Sequence, residues 1–288
     1  MDPAAVTYLR CPVCGAPVTG DRTLRCPAGH AYDVAKHGYV DLTGGRVTHA
    51  GDGPDMVAAR ADLLAAGHFQ PLTDAVVAAA STYPRGLVVD VGAGTGHHLA
   101  ALLDARPDTV GLALDVAKPA LRRAATAHPR LAAVRADTWR RLPVADGTAS
   151  VVLDVFAPRN GAEFRRVLRP DGALVVVTPD EDHLVELVRR LGLVTVDPDK
   201  ERRLAGSLDR WFTPAGRQHH RWSMRLSTAH AAALVAMGPS AWHTGTADVA
   251  QLTPPVEVTA SVVVSVWRPL GVGSGSNPVE LPVSTTPG

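Results

Sequence analysis

The run LVVDVGAGTG at residues 87–96 constrains the fold of this chain more than any other feature. A strand-length apolar run leads straight into three alternating glycines, and a helical pattern follows. Glycine lets the backbone turn sharply and approach a ligand closely, at the carboxyl end of a strand where open α/β sheets bind ligands. The loop reads Gly92-x-Gly94-x-Gly96 after Asp90, unlike the Gly-x-Gly-x-x-Gly of dinucleotide-binding proteins. An acidic residue there favours a cationic or amino-acid-bearing ligand over a pyrophosphate.

Short apolar runs alternate with amphipathic runs between residues 86 and 268, which predicts an α/β fold with an open, mostly parallel sheet. The predicted strands are Leu87–Val91, Val110–Leu114, Leu131–Arg135, Ser150–Val155 and Ala173–Thr178. The predicted helices lie near His97–Ala105, Pro119–His128, Glu163–Leu168 and Asp182–Leu191, after two earlier helices that begin at Asp55 and Phe69. A late strand, Val256–Trp267, is expected to run antiparallel at the sheet edge.

All three cysteines lie before residue 27 and have the spacing of metal ligands. Cys11 and Cys14 flank a two-residue turn, and Cys26 with His30 supplies a second pair, so the four close a tetrahedral site with no open position. This pattern predicts a structural zinc ion. His37 is an alternative fourth ligand. Reduced cysteines packed as small hydrophobes, or a redox pair, fit the turn-like sequence less well.

A second acidic residue ends the next strand. Asp115 follows Gly94 by twenty-one residues, where a carboxylate can accept hydrogen bonds from both hydroxyls of a ribose. Asp137, just past a third strand, is a candidate to bind an adenine amino group, with a surface role as the alternative.

These residues resemble the class I S-adenosylmethionine-dependent methyltransferases, which have a Rossmann-like, seven-stranded, mostly parallel sheet. Further motifs resemble one family of that class, the RlmA family of 23S rRNA guanine-N1 methyltransferases. They are the cysteine module, YDVAKHGYV at residues 32–40, AGHFQPL at 66–72, VFAP at 155–158 and MGPSAW at 237–242. The segments FAPRN at 156–160 and GPSAWH at 238–243 are most similar to the actinomycete branch that includes the tylosin- and mycinamicin-resistance enzymes.

The resemblance implies S-adenosylmethionine and zinc as cofactors, 23S ribosomal RNA as partner and a set of site residues. The implied cofactor contacts are Phe69, Asp90, Gly92, Gly94, Thr95, Gly96, Asp115 and His183. Phe156 and Asn160 are implied to position the target guanine: Phe156 stacks on it, and Ala157 and Asn160 bond its edge through the backbone or the amide. The alternative for Phe156 is packing beneath the cofactor. No residue identifies itself as the acceptor of the guanine N1 proton.

The charge balance requires any RNA surface to be local, because 29 Lys and Arg residues face 28 Asp and Glu residues. The densest basic stretch, residues 201–225, predicts such a surface. It contains Arg202, Arg203, Arg210, Arg217, Arg221, Arg225, His219 and His220, with Trp211 and Trp222 between them. An ordinary solvated face with buried tryptophans is the alternative. Lys36 and Arg46 of the cysteine module are expected to add RNA contacts.

The predicted organisation has four parts: a zinc-binding module at 1–43, a linker with helices at 44–85, a methyltransferase domain at 86–270 and a disordered tail at 271–288. Apolar runs are far shorter than the roughly 20 residues of a membrane span, and no secretory signal is visible, so we expect a cytoplasmic protein without membrane association. Macrolide resistance is the expected role. A small-molecule methyltransferase or a non-catalytic RNA-binding protein are the alternatives, and a homodimer is left open.

Overall fold

The computed structural model describes residues 1–47, 51–193, 206–237, 252 and 254–271. Within them the helices are α1 (Pro3–Val6), α2 (Pro54–Ala65), α3 (Gln70–Ser81), α4 (His97–Ala105), α5 (Lys118–Ala127), α6 (Gly161–Val167), α7 (Val185–Leu191) and α8 (Thr228–Ala236). The strands are β1 (Thr23–Arg25), β2 (Ala31–Asp33), β3 (Tyr39–Asp41), β4 (Leu87–Val91), β5 (Val110–Asp115), β6 (Leu131–Arg135), β7 (Ala149–Val155), β8 (Leu168–Pro179), β9 (Phe212–Leu226) and β10 (Val256–Pro269).

The main sheet has eight strands in the order β3-β6-β5-β4-β7-β8-β10-β9. The first six pair in parallel, and β10 pairs antiparallel with both β8 and β9. The predicted α/β class is confirmed. Seven of these strands follow residue 86, as the class requires, and the eighth, β3, comes from the cysteine module.

The expectation that the late strand lies at the sheet edge is wrong. β9 pairs with β10 from Phe212 to Leu226 and is itself the edge strand. Its sequence hides a strand because the residues from Thr213 to His219 are exposed and polar or small, with no apolar alternation. The alternation appears only near its end, where Met224 and Leu226 are buried.

Apolar residues of the central strands alternate between two cores, one on each face of the sheet. Helices α2, α3, α4 and α8 contribute to the first core. The second core combines α6 with the cysteine module, whose Leu9, Val18, Leu24 and Leu42 pack in one cluster with sheet residues such as Val89. The module therefore lies against the sheet and shares its core.

The module itself consists mostly of turns. Its hairpin, β1 with β2, is three residue pairs long, and β3 joins the main sheet beside β6. The predicted boundary at residue 43 thus falls just after a strand of the main sheet. The predicted tail lies almost wholly in residues 272–288, which are outside the described residues.

No helix in the described ranges is long and apolar enough to cross a membrane.

Candidate functional site

The predicted zinc ligands meet at one point. The ligand atoms of Cys11, Cys14, Cys26 and His30 all lie within 4.8 Å of one another. Cys14 Sγ is 3.6 Å from Cys26 Sγ, and His30 Nδ1 is 3.3 Å from Cys26 Sγ. A tetrahedral zinc with bonds of about 2.3 Å to sulfur holds its sulfurs about 3.8 Å apart, so the spacing fits this ion. The four residues include His30, and the alternative ligand His37 is not among them.

The hydroxyl of Tyr32 contacts one of the four ligands, Cys11. Tyr32 Oη lies 3.0 Å from Cys11 Sγ, close enough to donate a hydrogen bond to a thiolate. Although burial opposes ionisation, this contact and the backbone N–H groups of the turn lower the pKa of Cys11 to about 6. The ionised thiolate is the form that binds zinc. Tyr32 therefore orients a ligand and favours its binding form.

A cavity of about 650 Å³ lies at the carboxyl ends of the central parallel strands. This volume is within the range of small-molecule sites. The predicted site residues that line it are Phe69, Asp90, Gly92, Gly94, Thr95, Asp115, Phe156 and His183. Asp137 lines it as well. Gly96 and Asn160 do not.

The glycine loop is shaped by two close contacts. A side chain at Gly92, which has φ +70°, would place its Cβ 2.6 Å from the Cβ of Ala157. Gly96, with φ +76°, precedes α4 and packs against α5, where its Cβ would come within 3.3 Å of Ala124. Gly92 thus allows the loop after β7 to approach the cavity, whereas Gly96 serves the packing of two helices.

Asp115 fixes the loop and keeps capacity for a ligand. Its Oδ2 accepts a hydrogen bond from Gly94 N at 2.8 Å, and its Oδ1 accepts one from Ala117 N at 2.7 Å. An ionised carboxylate has about four acceptor positions, so each oxygen can accept one more bond. This arrangement fits a ribose diol.

Asp90 is buried at the end of β4. Burial, with the nearby charge of Asp115, raises the pKa of Asp90 to about 7. A cation in the cavity would stabilise its ionised form. The site is therefore suited to a positively charged ligand, as the sequence indicated.

Phe156 sits at the cavity in a conformation that favours glycine. Its φ is +55°, in the left-handed region, and 45% of the residue is exposed. Its ring lies 6.1 Å from the His183 ring, and His183 Nδ1 accepts a hydrogen bond from Ser261 N. Strain of this kind persists where the surroundings demand it, most often at functional sites.

Asn160 is placed differently from our prediction. Its Oδ1 accepts a hydrogen bond from Glu163 N at 3.3 Å and caps α6, while its Nδ2 donates to Thr138 O at 2.9 Å. The amide is thus occupied by the protein outside the cavity. A contact to the base through the backbone of Ala157 or Asn160 stays a prediction.

Several cavity residues were missed from the sequence: Asp52, Arg60, His98, Trp139 and Arg159. Trp139 is 56% exposed beside the opening, and Arg140 of the same loop donates to Arg46 O of the cysteine module. The signal for Trp139 was a large apolar residue directly after a strand and Asp137. Arg60, from α2, reaches Gly94 only through the fold.

The predicted basic stretch is an edge strand with acidic neighbours. Arg221 pairs with Asp182, Arg225 with Glu257 and His219 with Asp180. Trp222 is half-buried, donates to His68 O and packs edge-on against Phe69. The alternative of a packed tryptophan therefore holds for Trp222. Arg202 and Arg203 lie outside the described residues.

Two family models match the chain: the zinc ribbon described as "RlmA, N-terminal" at residues 9–43 and a methyltransferase domain at 88–172. A 23S rRNA (guanine(748)-N(1))-methyltransferase of Streptomyces fradiae is 50% identical, over 92% of this chain and 98% of its own. The chain belongs to the RlmA family of 23S rRNA guanine-N1 methyltransferases. Its metal centre is the RlmA zinc ribbon, and its glycine loop belongs to an S-adenosylmethionine-dependent methyltransferase domain.

A second relative supports this RlmA-family membership. This relative, named as a 23S rRNA (guanine-N(1)-)-methyltransferase of Micromonospora griseorubida, is 56% identical, over 94% of this chain and 100% of its own. Among solved structures, geranyl diphosphate methyltransferase in complex with S-adenosylmethionine has a TM-score of 0.44 at 12% identity, over 77% of this chain and 93% of that chain.

Proposed function

We propose that this protein transfers a methyl group from S-adenosylmethionine to N1 of a guanine in a hairpin loop of 23S ribosomal RNA. The observation that carries the proposal is 50% identity, over nearly the whole chain, with the Streptomyces fradiae enzyme that bears this activity in its name. The cavity supports it, because its acidic residues suit a cationic cofactor and Phe156 offers a ring beside it.

S-adenosylmethionine, when bound, supplies a methyl carbon attached to a positively charged sulfur. Asp115 accepts hydrogen bonds from the ribose hydroxyls, and Asp90 contributes negative charge beside the glycine loop. Gly92 and Gly94 have no side chains, so the backbone of that loop can approach the ligand closely. These residues hold and orient, which is most of what an in-line methyl transfer needs from a protein.

The target base has to leave its stack. Guanine N1 lies on the Watson–Crick edge, so it is reached only when the nucleotide is unpaired or flipped. Phe156 presents an exposed ring at the cavity, and base-on-aromatic stacking stabilises an extruded base by about 1–3 kcal/mol. Phe156 stacks on the guanine, so that the Watson–Crick edge of the base faces the cofactor.

RNA lies across the cavity opening. Trp139 provides a second exposed aromatic surface there. Lys36 of the zinc ribbon and Arg46, just after the ribbon, provide exposed cations. The edge strand β9 extends this surface. The ribbon and the sheet thus contribute separate contacts to one RNA.

The test is to incubate unmethylated 23S rRNA with the protein and labelled S-adenosylmethionine, and then to map the methylated nucleotide by reverse transcription. Methylation at N1 blocks base pairing, so a stop is expected one nucleotide before a single guanine in a hairpin loop. Label that enters a small molecule but no RNA would favour a small-molecule methyltransferase. Cofactor binding with no transfer to any acceptor would favour a non-catalytic RNA-binding protein.

The role that follows is macrolide resistance, which we infer from the likeness to the tylosin- and mycinamicin-resistance branch. Expression of the protein in a macrolide-sensitive strain should raise the inhibitory concentration of tylosin, and the Phe156→Ala variant should not. A cytoplasmic location follows from the ribosomal substrate. A homodimer stays a prediction.

A further inference from the structure

A buried ion pair beneath the cavity has no role in the function described so far. Asp154, in β7, is 0% exposed, and neither of its carboxylate oxygens makes a hydrogen bond with a described residue. Arg159 lies four residues after the end of that strand, with its Nε 4.0 Å from Asp154 Oδ1. Buried polar atoms without partners are uncommon and costly, so this pair needs an explanation.

Arg159 connects the pair to the cavity. It lines the cavity together with Phe156, Ala157 and Pro158, and its side chain is 19% exposed. Its Nε makes no hydrogen bond with any described residue. The guanidinium thus lies between a buried carboxylate and the space that Phe156 borders.

The chemistry of guanine selects what such a group can bind. Arginine forms two parallel hydrogen bonds to O6 and N7, the commonest specific contact to guanine. That contact leaves N1 free to face the methyl carbon. Adenine presents an amino donor in place of O6, which an arginine cannot accept.

We propose that Arg159 binds the O6 and N7 atoms of the flipped guanine and that Asp154 positions it. The proposal rests on the proposed methylation of guanine N1. Arg159 touches the substrate and determines its specificity. Asp154 acts through Arg159 and is a positioning residue.

Arg159 also helps the N1 proton to leave. The N1 proton passes to water first; the N1 anion then attacks the methyl carbon, and the methyl–sulfur bond breaks with its electron pair on sulfur. Loss of that proton places negative charge on O6, where a guanidinium stabilises it.

Asp154 makes an arginine compatible with a cationic cofactor nearby. An uncompensated guanidinium would repel the sulfonium, and the buried carboxylate behind it offsets that charge. Burial raises the pKa of Asp154 to about 8, while the charge of Arg159 opposes this. The charge of Arg159 thus lowers the pKa that burial alone would give, and the carboxylate offsets that charge once it ionises near pH 8.

The experiment measures binding of hairpin RNAs that differ only in the target base, with S-adenosylhomocysteine present. The bases are guanine, 7-deazaguanine, which lacks N7, and 2-aminopurine, which lacks O6. Wild-type protein should bind guanine RNA about ten- to a hundredfold more tightly than 2-aminopurine RNA. Arg159→Gln should lose this preference while its affinity for 2-aminopurine RNA stays at the wild-type level.

Two further variants separate positioning from folding. Asp154→Asn should reduce the preference for guanine and shift the pH profile of methyl transfer to higher pH. Arg159→Lys keeps the charge but loses the fork, so 7-deazaguanine and guanine RNA should become equivalent. Arg169→Gln is the matched control, because Arg169 pairs with Asp171 at the start of β8, away from the cavity.

S-adenosylhomocysteine affinity of each variant shows whether it is folded. If Asp154→Asn does not fold, Arg159→Gln still decides. A preference for guanine that persists in folded Arg159→Gln would overturn this inference alone. Failure of the wild-type protein to methylate guanine RNA would instead overturn the proposed function.

Discussion

The zinc ribbon and the sheet are stabilised in opposite ways. In the ribbon, a three-pair hairpin and a series of turns surround four metal ligands, and the buried apolar side chains belong to the core that the ribbon shares with the sheet. In the sheet, long parallel pairings enclose two apolar cores. A few strong bonds therefore hold one region, and many weak contacts hold the other. The difference teaches that one substitution can unfold the ribbon, whereas the sheet tolerates polar residues such as Asp90 at its strand ends.

Removal of zinc should have the largest effect, and an effect confined to the ribbon would sharpen this contrast. A structural zinc contributes roughly 10 kcal/mol or more of binding free energy that is also folding free energy. His30→Ala should lose stoichiometric zinc in elemental analysis and the amide protection of β1 and β2, while β4 stays protected in hydrogen exchange. His37→Ala is the matched control and should keep both. If His30→Ala retained zinc, the ligand set would be wrong.

On the sheet side, Phe156→Ala should lower methyl transfer by about a hundredfold, since small losses of positioning are costly. RNA affinity should fall by less, because only one of the contacts to the extruded base is lost. Phe156→Tyr keeps the ring and should stay within a few-fold of wild type. Equal losses of RNA binding and transfer would show that Phe156 belongs to the binding surface instead.

Asp115→Ala should weaken S-adenosylmethionine binding by about 1.5–3 kcal/mol, the range for hydrogen bonds to a charged group. Asp115→Asn keeps one acceptor oxygen, which can serve Gly94 N or Ala117 N but replaces only one of the two carboxylate oxygens, so its loss should be smaller. Calorimetry measures both. Unchanged affinity in Asp115→Ala would remove the ribose assignment.

Cofactor affinity should rise with pH up to about 7 and then level off. The pKa of Asp90 is about 4 in the unfolded chain and is raised to about 7 in the folded protein. Between these two values the folded state holds a proton that the unfolded state has lost, so the stability of the free protein falls as the pH rises. A bound cation favours the ionised form of Asp90, and its affinity therefore increases over the same window. Asp90→Asn should flatten the profile, and a profile unchanged by this substitution would assign the titration to another group.

The smallest effect is expected from the edge strand, which the sequence predicted as the main RNA surface. Arg221 already pairs with Asp182, and Arg225 with Glu257, so the attraction of these two arginines for phosphate is partly offset. Replacing Arg217, Arg221 and Arg225 with glutamine should reduce the salt slope of RNA binding by about 1–2. Replacement of the exposed Arg122 and Arg123 together with the half-buried Arg169 should leave it unchanged. Equal slopes in the two triple variants would place the RNA surface on the zinc ribbon.

Local patterns were enough to predict six of the eight strands of the main sheet, the glycine loop and the cluster of three cysteines with His30. Each depends on residues close in sequence: an apolar run of the right length, alternating glycines, or cysteines two residues apart. β9 escaped because an exposed edge strand has no apolar alternation, and β10 was assigned to the edge for that reason. The apolar packing of the ribbon on the sheet was hidden because it joins residues far apart in the chain.

The cavity shows the same division. Asp90 and Asp115 were predicted because each ends a recognisable strand. Asn160 was misplaced because a residue after a strand can equally cap the next helix. Asp154 carried a signal, a lone acid in an apolar strand, but its partner Arg159 becomes meaningful only when both are seen beside the cavity.

The central claim is that the sheet cavity methylates guanine N1 in 23S rRNA. Its most direct test is to methylate that RNA with zinc-loaded protein and labelled S-adenosylmethionine, digest the RNA to nucleosides and identify the labelled one by mass spectrometry. We predict that all label elutes as 1-methylguanosine. Label in a different nucleoside, or none in RNA while the protein still binds S-adenosylmethionine, would contradict the claim.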